Sequence, residues 1–237
     1  MKILPKVEIV DLSLKIDDYI VIADLHLGYE EYLRNTGMFI PNFQIDLIID
    51  RIERIRKITK SKKLIINGDL KHEFGKLSFQ ESTELENFLK YAKDKFKKIV
   101  LVKGNHDPLL PYLNIDLKIV DSIKIKDYLI VHGHEIPEKL APNIIIGHEH
   151  PCIGLRHGGR VEKVKCFLKC KFKNRNLIVM PSFNFVTEGS DILQSNFLSP
   201  FLKKIDVDEC NVYVVEDFEV FEFGKVKDII KLQADEL

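Results

Sequence analysis

The stretch LIINGDLKHEFG, Leu64–Gly75, begins as an aliphatic run and then sets Asp69, His72 and Glu73 within a few residues of Gly68. A short apolar run closed by turn residues reads as a buried strand, so chemically active side chains sit where a strand stops. The pattern recurs on both sides. YIVIADLHLG (Tyr19–Gly28) runs into Asp24 and His26, and KIVLVKGNHD (Lys98–Asp107) runs into Asn105, His106 and Asp107. Between these runs, FQIDLIIDRIERIRKI carries Ile45, Ile48, Ile49, Ile52 and Ile55 at helical spacing. Ser78 and Glu81 form a capping box that opens a second helix through ESTELENFLKYAKDKF. Strands alternating with helices predict an α/β sheet, in which ligands bind beyond the carboxyl ends of the strands.

From about Lys118 the character changes to short strands: LKIVDSIKI, DYLIVHGH, NIIIGHEH, VEKVKCFLKCKFKNRNLIVMPS and CNVYVVEDFEVFEF. The prediction is two sheets packed together with helices outside. No linker, repeat or low-complexity tract divides the chain, so residues 1–237 read as a single domain.

Lys+Arg and Asp+Glu both number 36, and a net charge of zero gives no global pull toward a polyanion or a membrane. No window approaches the roughly 20 apolar residues of a membrane span, and MKILPKVEIVDLSL breaks at Pro5 and Glu8 instead of building a signal-peptide core. A cytosolic protein with no membrane partner is expected. Cys152, Cys166, Cys170 and Cys210 form no C-x-x-C pair. Cys166 and Cys170 on one strand would lie roughly 13 Å apart, so all four are expected to be reduced thiols.

Five strand ends carry the chemistry: Asp24 with His26; Asp69 with His72; Asn105, His106 and Asp107; His132 with His134; His148 with His150. Seven of the eight histidines fall in these clusters. A lone histidine at a strand end usually caps a turn, but scattered caps would not sort in this way. D-x-H places two ligands on one side of an extended segment, and so does the spacing of His148 and His150. Carboxylate and amide oxygens with several imidazoles suit Mn, Fe or Zn better than Ca, and no thiolates join them. The donors exceed what one ion needs, which points to two divalent ions sharing a bridging carboxylate.

In order and spacing, ADLHLG, NGDLKH, KGNHD, VHGH and GHEH resemble the signature blocks of the calcineurin-like metallophosphoesterases, from about Val21 to His150. The resemblance implies a four-layer α/β/β/α sandwich with a di-metal site at the strand ends. It implies that Asp24, His26 and His150 hold one ion, that Asn105, His132 and His148 hold the other, and that Asp69 bridges them. Two ions about 3.5 to 4 Å apart activate a water between them for in-line attack on phosphorus. His106 falls where the family places its general acid and phosphate contact. Where many members carry aspartate, three residues after the bridge, this chain has His72. That arrangement, with GDLKHE and ADLHLGYE, is similar to the double-strand-break repair nucleases of the superfamily. His72 is thereby a candidate to orient the phosphate, to aid the leaving group, or to hydrogen-bond a metal ligand. A GHEHP run, Lys165–Leu168 and Met180–Asn184 are similar to the small DNA-ligase-associated, or ICC-like, metallophosphoesterases, and carry the match to roughly the last forty residues.

Two stretches are candidates for substrate contact. In VEKVKCFLKCKFK, Lys163, Lys165, Lys169, Lys171 and Lys173 share a face with Phe167, either as a phosphate and base track or as lysines on a solvent face or edge strand. In RHGGR, Arg156 and Arg160 flank two glycines, either to clamp a phosphate or as a plain hairpin. His134 is a ligand, a hydrogen bond to one, or a phosphate contact. SFNF and DILQSNFLSPFL form a loop that either walls the site or packs as an Ω-loop. The expected activity is hydrolysis of phosphodiesters with Mn as the first choice of metal, and Fe, Zn or Mg as alternatives. The substrate is nucleic acid or a nucleotide, with a nuclease first and a small cyclic nucleotide or phosphomonoester second. A scaffold that has lost its chemistry would lack one of these residues.

Overall fold

Four strands of the first half run side by side in one direction, and their carboxyl ends define the edge on which the chemistry collects. In the computed structural model, which describes residues 1–73, 75, 77–108, 110, 117–157 and 160–235, β1 (Lys2–Leu4), β2 (Val7–Val10), β3 (Ser13–Ile16), β4 (Tyr19–Ala23), β5 (Lys63–Asn67), β6 (Lys98–Val102) and β7 (Lys118–Val120) form one sheet in that order. Strands β1 to β4 pair antiparallel, and β4 to β7 pair parallel. The second sheet holds β8 (Ser122–Ile125), β9 (Tyr128–Val131), β10 (Asn143–Ile146), β11 (Pro151–His157), β12 (Arg160–Phe172), β13 (Arg175–Val179), β14 (Ser190–Asp191), β15 (Asn211–Glu216) and β16 (Glu219–Lys225). Within it, β9, β10 and β13 are parallel neighbours.

Helices α1 (Tyr29–Asn35), α2 (Gln44–Thr59) and α3 (Phe79–Lys95) belong to the first sheet's connections, and α4 (Val226–Asp235) follows β16. Among the described residues none of the helices is long and apolar enough to cross a membrane. The isoleucine spacing of α2 resolves as predicted, with Ile48, Ile52 and Ile55 buried. The predicted α/β class and four-layer α/β/β/α sandwich hold.

Strand alternation divides the core. On β10, Ile145 joins a cluster with the first sheet, α2 and α3, while Ile144 and Ile146 face outward to a second cluster with Val226 and Ile229 of α4. On β9, Tyr128 and Ile130 go inward and Leu129 and Val131 outward. Period-two side-chain direction thus lets one sheet serve two cores.

Three sequence expectations change. Strand β12 is interior at Leu168 and Lys169, which pair with β13 on one edge and β15 on the other. Phe167 is fully buried in the inter-sheet core, and Lys165 Nζ donates to Ser182 Oγ at 2.7 Å and Ser182 O at 3.2 Å. Phe167 therefore cannot stack a base, and this stretch is not an edge. A period-two pattern gives faces but not what covers them. Cys170 and Cys210 form a disulfide with a Cα separation of 4.5 Å, while Cys152 and Cys166 stay free and buried. Pairing of Lys169 with Asn211 places the two cysteines side by side from 40 residues apart, which local spacing cannot reveal. In the capping box, Ser78 Oγ accepts from Glu81 N at 3.0 Å, but the Glu81 carboxylate turns away to His72 N and Glu73 N.

Candidate metal centre

The side chains of interest follow β4, β5 and β6 in one sheet and β9 and β10 in the other. The loops after β4 and β5 extend the ladder past the strands, with Asp24 N donating to Gly68 O, His26 N to Asp69 O and Leu27 N to Leu70 O at 3.3, 2.9 and 3.0 Å. Across the sandwich, Phe183 N donates to Ala23 O at 2.6 Å and Asn184 Nδ2 to Leu25 O at 3.1 Å, which ties the two sheets together directly behind Asp24. The SFNF loop is thus packed support for the site's rear.

Asp24, His26, Asp69, His148 and His150 all have positive φ, at 55, 49, 41, 64 and 50°. The segments that carry D-x-H and H-x-H are therefore left-handed at each candidate ligand, and the extended geometry anticipated from alternation does not apply. Such residues cost on the order of 1–3 kcal/mol each and cluster at functional sites. Two glycines make the convergence possible. A Cβ on Gly68 would lie 1.9 Å from His132 Nδ1, and one on Gly104 would lie 2.0 Å from Asp69 Oδ1.

Among the described residues three groups could hold an ion, one of them His26, His72 and His106, and the other two share Asp69. Asp24, His26, Asp69 and His150 offer ligand atoms all within 4.8 Å of one another, as do Asp69, His132 and His148. In the first, His26 Nε2 lies 3.4 Å from His150 Nε2, and His150 Nε2 lies 3.6 Å from Asp24 Oδ2. In the second, His132 Nε2 is 2.9 Å from Asn105 Oδ1 and 3.4 Å from Asp69 Oδ2. The residues fit a pair of ions. Asp24 Oδ1 and His26 Nδ1 are buried without a hydrogen-bond partner, and the donors are a mixed oxygen and nitrogen set suited to Mn, Fe or Zn.

The electrostatics lower His26 and His148 and raise His132 beside the carboxylates. Burial, then the neighbouring His150, holds His26 well below the usual histidine range. Burial and the charge of His132 bring His148 down to about 4. Burial opposes charge on His132 too, but the hydrogen bond and charge of Asp69 and the charge of Asp24 win and raise it to about 9. Asp69 is likewise driven down despite burial, by His132 and His26.

His106 N donates to Asp69 Oδ1 at 2.9 Å. Its Nδ1 meets the His72 carbonyl; a carbonyl only accepts, so Nδ1 carries the proton. The His72 ring lies 5.6 Å from His106, 5.4 Å from His26 and 4.2 Å from Tyr29. Burial and the charge of His106 lower His72 to about 4. His134 lies beside the second group, its ring 5.1 Å from that of His132. Arg156 lines a cleft with Asp191, Gln194 and Gln233 against α4. Arg160 pairs with His157 in the β11–β12 hairpin, and Gly158 and Gly159 lie outside the described residues.

Sequence reasoning grouped Asp107 with the strand-end residues but missed its supporting role, and missed Glu149 and the Glu81 carboxylate altogether. Asp107 accepts from Gly104 N at 3.0 Å and Leu70 N at 3.1 Å, and burial beside Asp69 raises it to about 7. Glu149, fully buried between His148 and His150, accepts from Ser199 N at 2.7 Å and Leu198 N at 2.9 Å. Glu81 holds the amides of His72 and Glu73 at 3.0 Å each. The available signal was a carboxylate at a core-facing helix position, since Glu81 and Glu84 share a face with Leu85 and Phe88.

Comparison with known proteins agrees with this geometry. No curated protein matches the chain. Among solved structures, the nuclease MPE of Pseudomonas putida is similar at 20% identity, with a TM-score of 0.61 over 92% of this chain and 94% of that one. The phosphoesterase YfcE of E. coli is 13% identical over 87% of this chain and 98% of that one, with a TM-score of 0.41. At 20% identity the likeness to the nuclease is one of fold. Residues 19–208 match the family model described as calcineurin-like phosphoesterase. That match spans all five strand-end clusters, and the chain belongs to the calcineurin-like phosphoesterases as a metal-dependent phosphoesterase.

Proposed function

We propose that this protein is a two-metal phosphodiesterase that cleaves nucleic acid, with Mn²⁺ as the preferred ion. The observation that carries the proposal is Asp69, a carboxylate shared by two ligand groups. Asp24, His26 and His150 would hold one ion and Asn105, His132 and His148 the other, with Asp69 shared between them. When bound, such ions polarise phosphoryl oxygens and supply a nucleophile at neutral pH.

The chain's own residues do the rest. With its Nδ1–H held by the His72 carbonyl, His106 in its doubly protonated form gives the Nε2 proton to the leaving oxygen as general acid. His72, neutral near pH 7, hydrogen-bonds a phosphate oxygen from beside His106, and His134 does so from the second group. Arg156, in the cleft it lines against α4, and Arg160 remain proposed contacts to a substrate phosphate. The single domain and a cytosolic setting remain part of the proposal.

End-labelled single-stranded DNA, duplex DNA and RNA, incubated with Mn²⁺ beside bis(nitrophenyl) phosphate, test the proposal. Polymer cleavage that is lost in His106→Ala while both ions stay bound supports it. Turnover of the small diester without polymer cleavage would move the substrate to small nucleotides, and loss of metal in His106→Ala would make His106 a ligand.

A further inference from the structure

His26, His72 and His106 form a ligand group of their own beside the two that share Asp69, with ligand atoms all within 4.8 Å of one another. The rings of His72 and His106 lie 5.4 and 5.0 Å from that of His26 and 5.6 Å from each other. Backbone bonds fix where the three rings start. His26 N donates to Asp69 O, His72 N to Leu27 O and His106 N to Asp69 Oδ1, each at 2.9 Å. His72 Nδ1 is buried with no hydrogen-bond partner, and a buried polar atom left unsatisfied is costly.

The groups differ in chemistry. Asp24, His26, Asp69 and His150 set two carboxylates beside two imidazoles, whereas His26, His72 and His106 offer three imidazoles and no oxygen. Three histidines with a fourth position open are a zinc arrangement. Carboxylates suit Mn²⁺, which binds least tightly of the first-row divalent ions, and imidazoles suit Zn²⁺, which binds more tightly. His26 belongs to both groups.

Resting on the two-metal reading above, we infer that His26, His72 and His106 form an inhibitory zinc site, which competes for His26 with the manganese position at Asp24, Asp69 and His150. Zn²⁺ there stops the reaction at the groups that act on the substrate. With Nδ1 against the His72 carbonyl, His106 takes the ion on Nε2, in place of the proton that the leaving oxygen needs. The His72 ring, once it holds the ion, no longer reaches the phosphate. The same three rings thus sort the metals, with Mn²⁺ at the carboxylates giving turnover and Zn²⁺ on the imidazoles blocking it.

The test titrates Zn²⁺ into the Mn²⁺-loaded wild type and His72→Gln while turnover of bis(nitrophenyl) phosphate is followed, each protein against its own zinc-free rate. Calorimetry on the same Mn²⁺-loaded proteins gives the zinc affinity without relying on turnover. Zn²⁺ should inhibit the wild type, and added Mn²⁺ should relieve the inhibition. His72→Gln should weaken zinc affinity and inhibition by at least about tenfold, the lower bound for losing even a group that only supports a ligand. X-ray absorption at the zinc edge of the inhibited wild type should show three imidazoles at about 2.0 Å. Equal zinc affinity in His72→Gln, a wild type that Zn²⁺ leaves unaffected or activates, or zinc bound by a mixture of carboxylates and imidazoles overturns the inhibitory site alone. No turnover with Mn²⁺ before zinc is added would instead overturn the two-metal reading on which it rests.

Discussion

Replacing Gly68 with alanine should remove one ion without unfolding the chain. The new Cβ would fall 1.9 Å from His132 Nδ1 and 2.6 Å from its Cγ. Ordinary non-bonded contact begins near ~3.5 Å, so the ring or the loop must give by about 1.6 Å. At φ +85° an alanine also costs about 1–2 kcal/mol of backbone strain. Against a typical stability of about 5–15 kcal/mol the fold survives, with Tm lowered by roughly 2–8 °C. The site does not survive. His132 Nε2 sits 2.9 Å from Asn105 Oδ1 and 3.4 Å from Asp69 Oδ2, and a shift of about 1 Å in such a group can cost about 100-fold in rate. Metal content by mass spectrometry should drop by the ion held by Asn105, His132 and His148, and kcat should fall about 100-fold or more. A folded Gly68→Ala protein with two ions and near-wild-type turnover would refute the reasoning.

Other outcomes follow from the same geometry. In the metal-free protein His132 is raised to about 9 from 6.5, so its contribution to stability is fully present below about pH 6.5 and is lost as pH rises through about 9. Denaturant midpoints of the chelator-treated protein should fall across that window, and Mn²⁺ affinity should rise, because the ion displaces that proton; flat profiles would count against it. Glu149→Gln weakens the acceptor for Leu198 N and Ser199 N between His148 and His150, and metal affinity measured by calorimetry should drop about 10- to 100-fold. Cys210→Ser opens a link between residues 40 apart. It should cost up to about 4 kcal/mol in non-reducing denaturation while leaving metal content intact.

Most of the candidate centre was legible because its residues lie next to strand ends, and strand ends are what apolar runs and glycines mark. Asp69 follows Gly68, and Gly68 follows the run that becomes β5. What stayed hidden depends on partners distant in sequence. The left-handed backbone at Asp24 and His26 comes from their pairing with the loop after β5, through bonds to Gly68 and Asp69. Phe167 looked like an exposed aromatic among lysines until the first sheet packed over it. Cys210 met Cys170 only through the register of β12 with β15. Glu81 looked like a cap, and it caps with its amide alone; its carboxylate serves a loop that no helical pattern predicts.

The most direct test is the number of Mn²⁺ ions bound per chain, with diester turnover measured on the same samples, for the wild type and Asp69→Ala. Two ions and turnover are expected in the wild type. In a folded Asp69→Ala protein, at most one ion and no turnover are expected. An active variant that still binds two ions would contradict a shared carboxylate at the heart of the site.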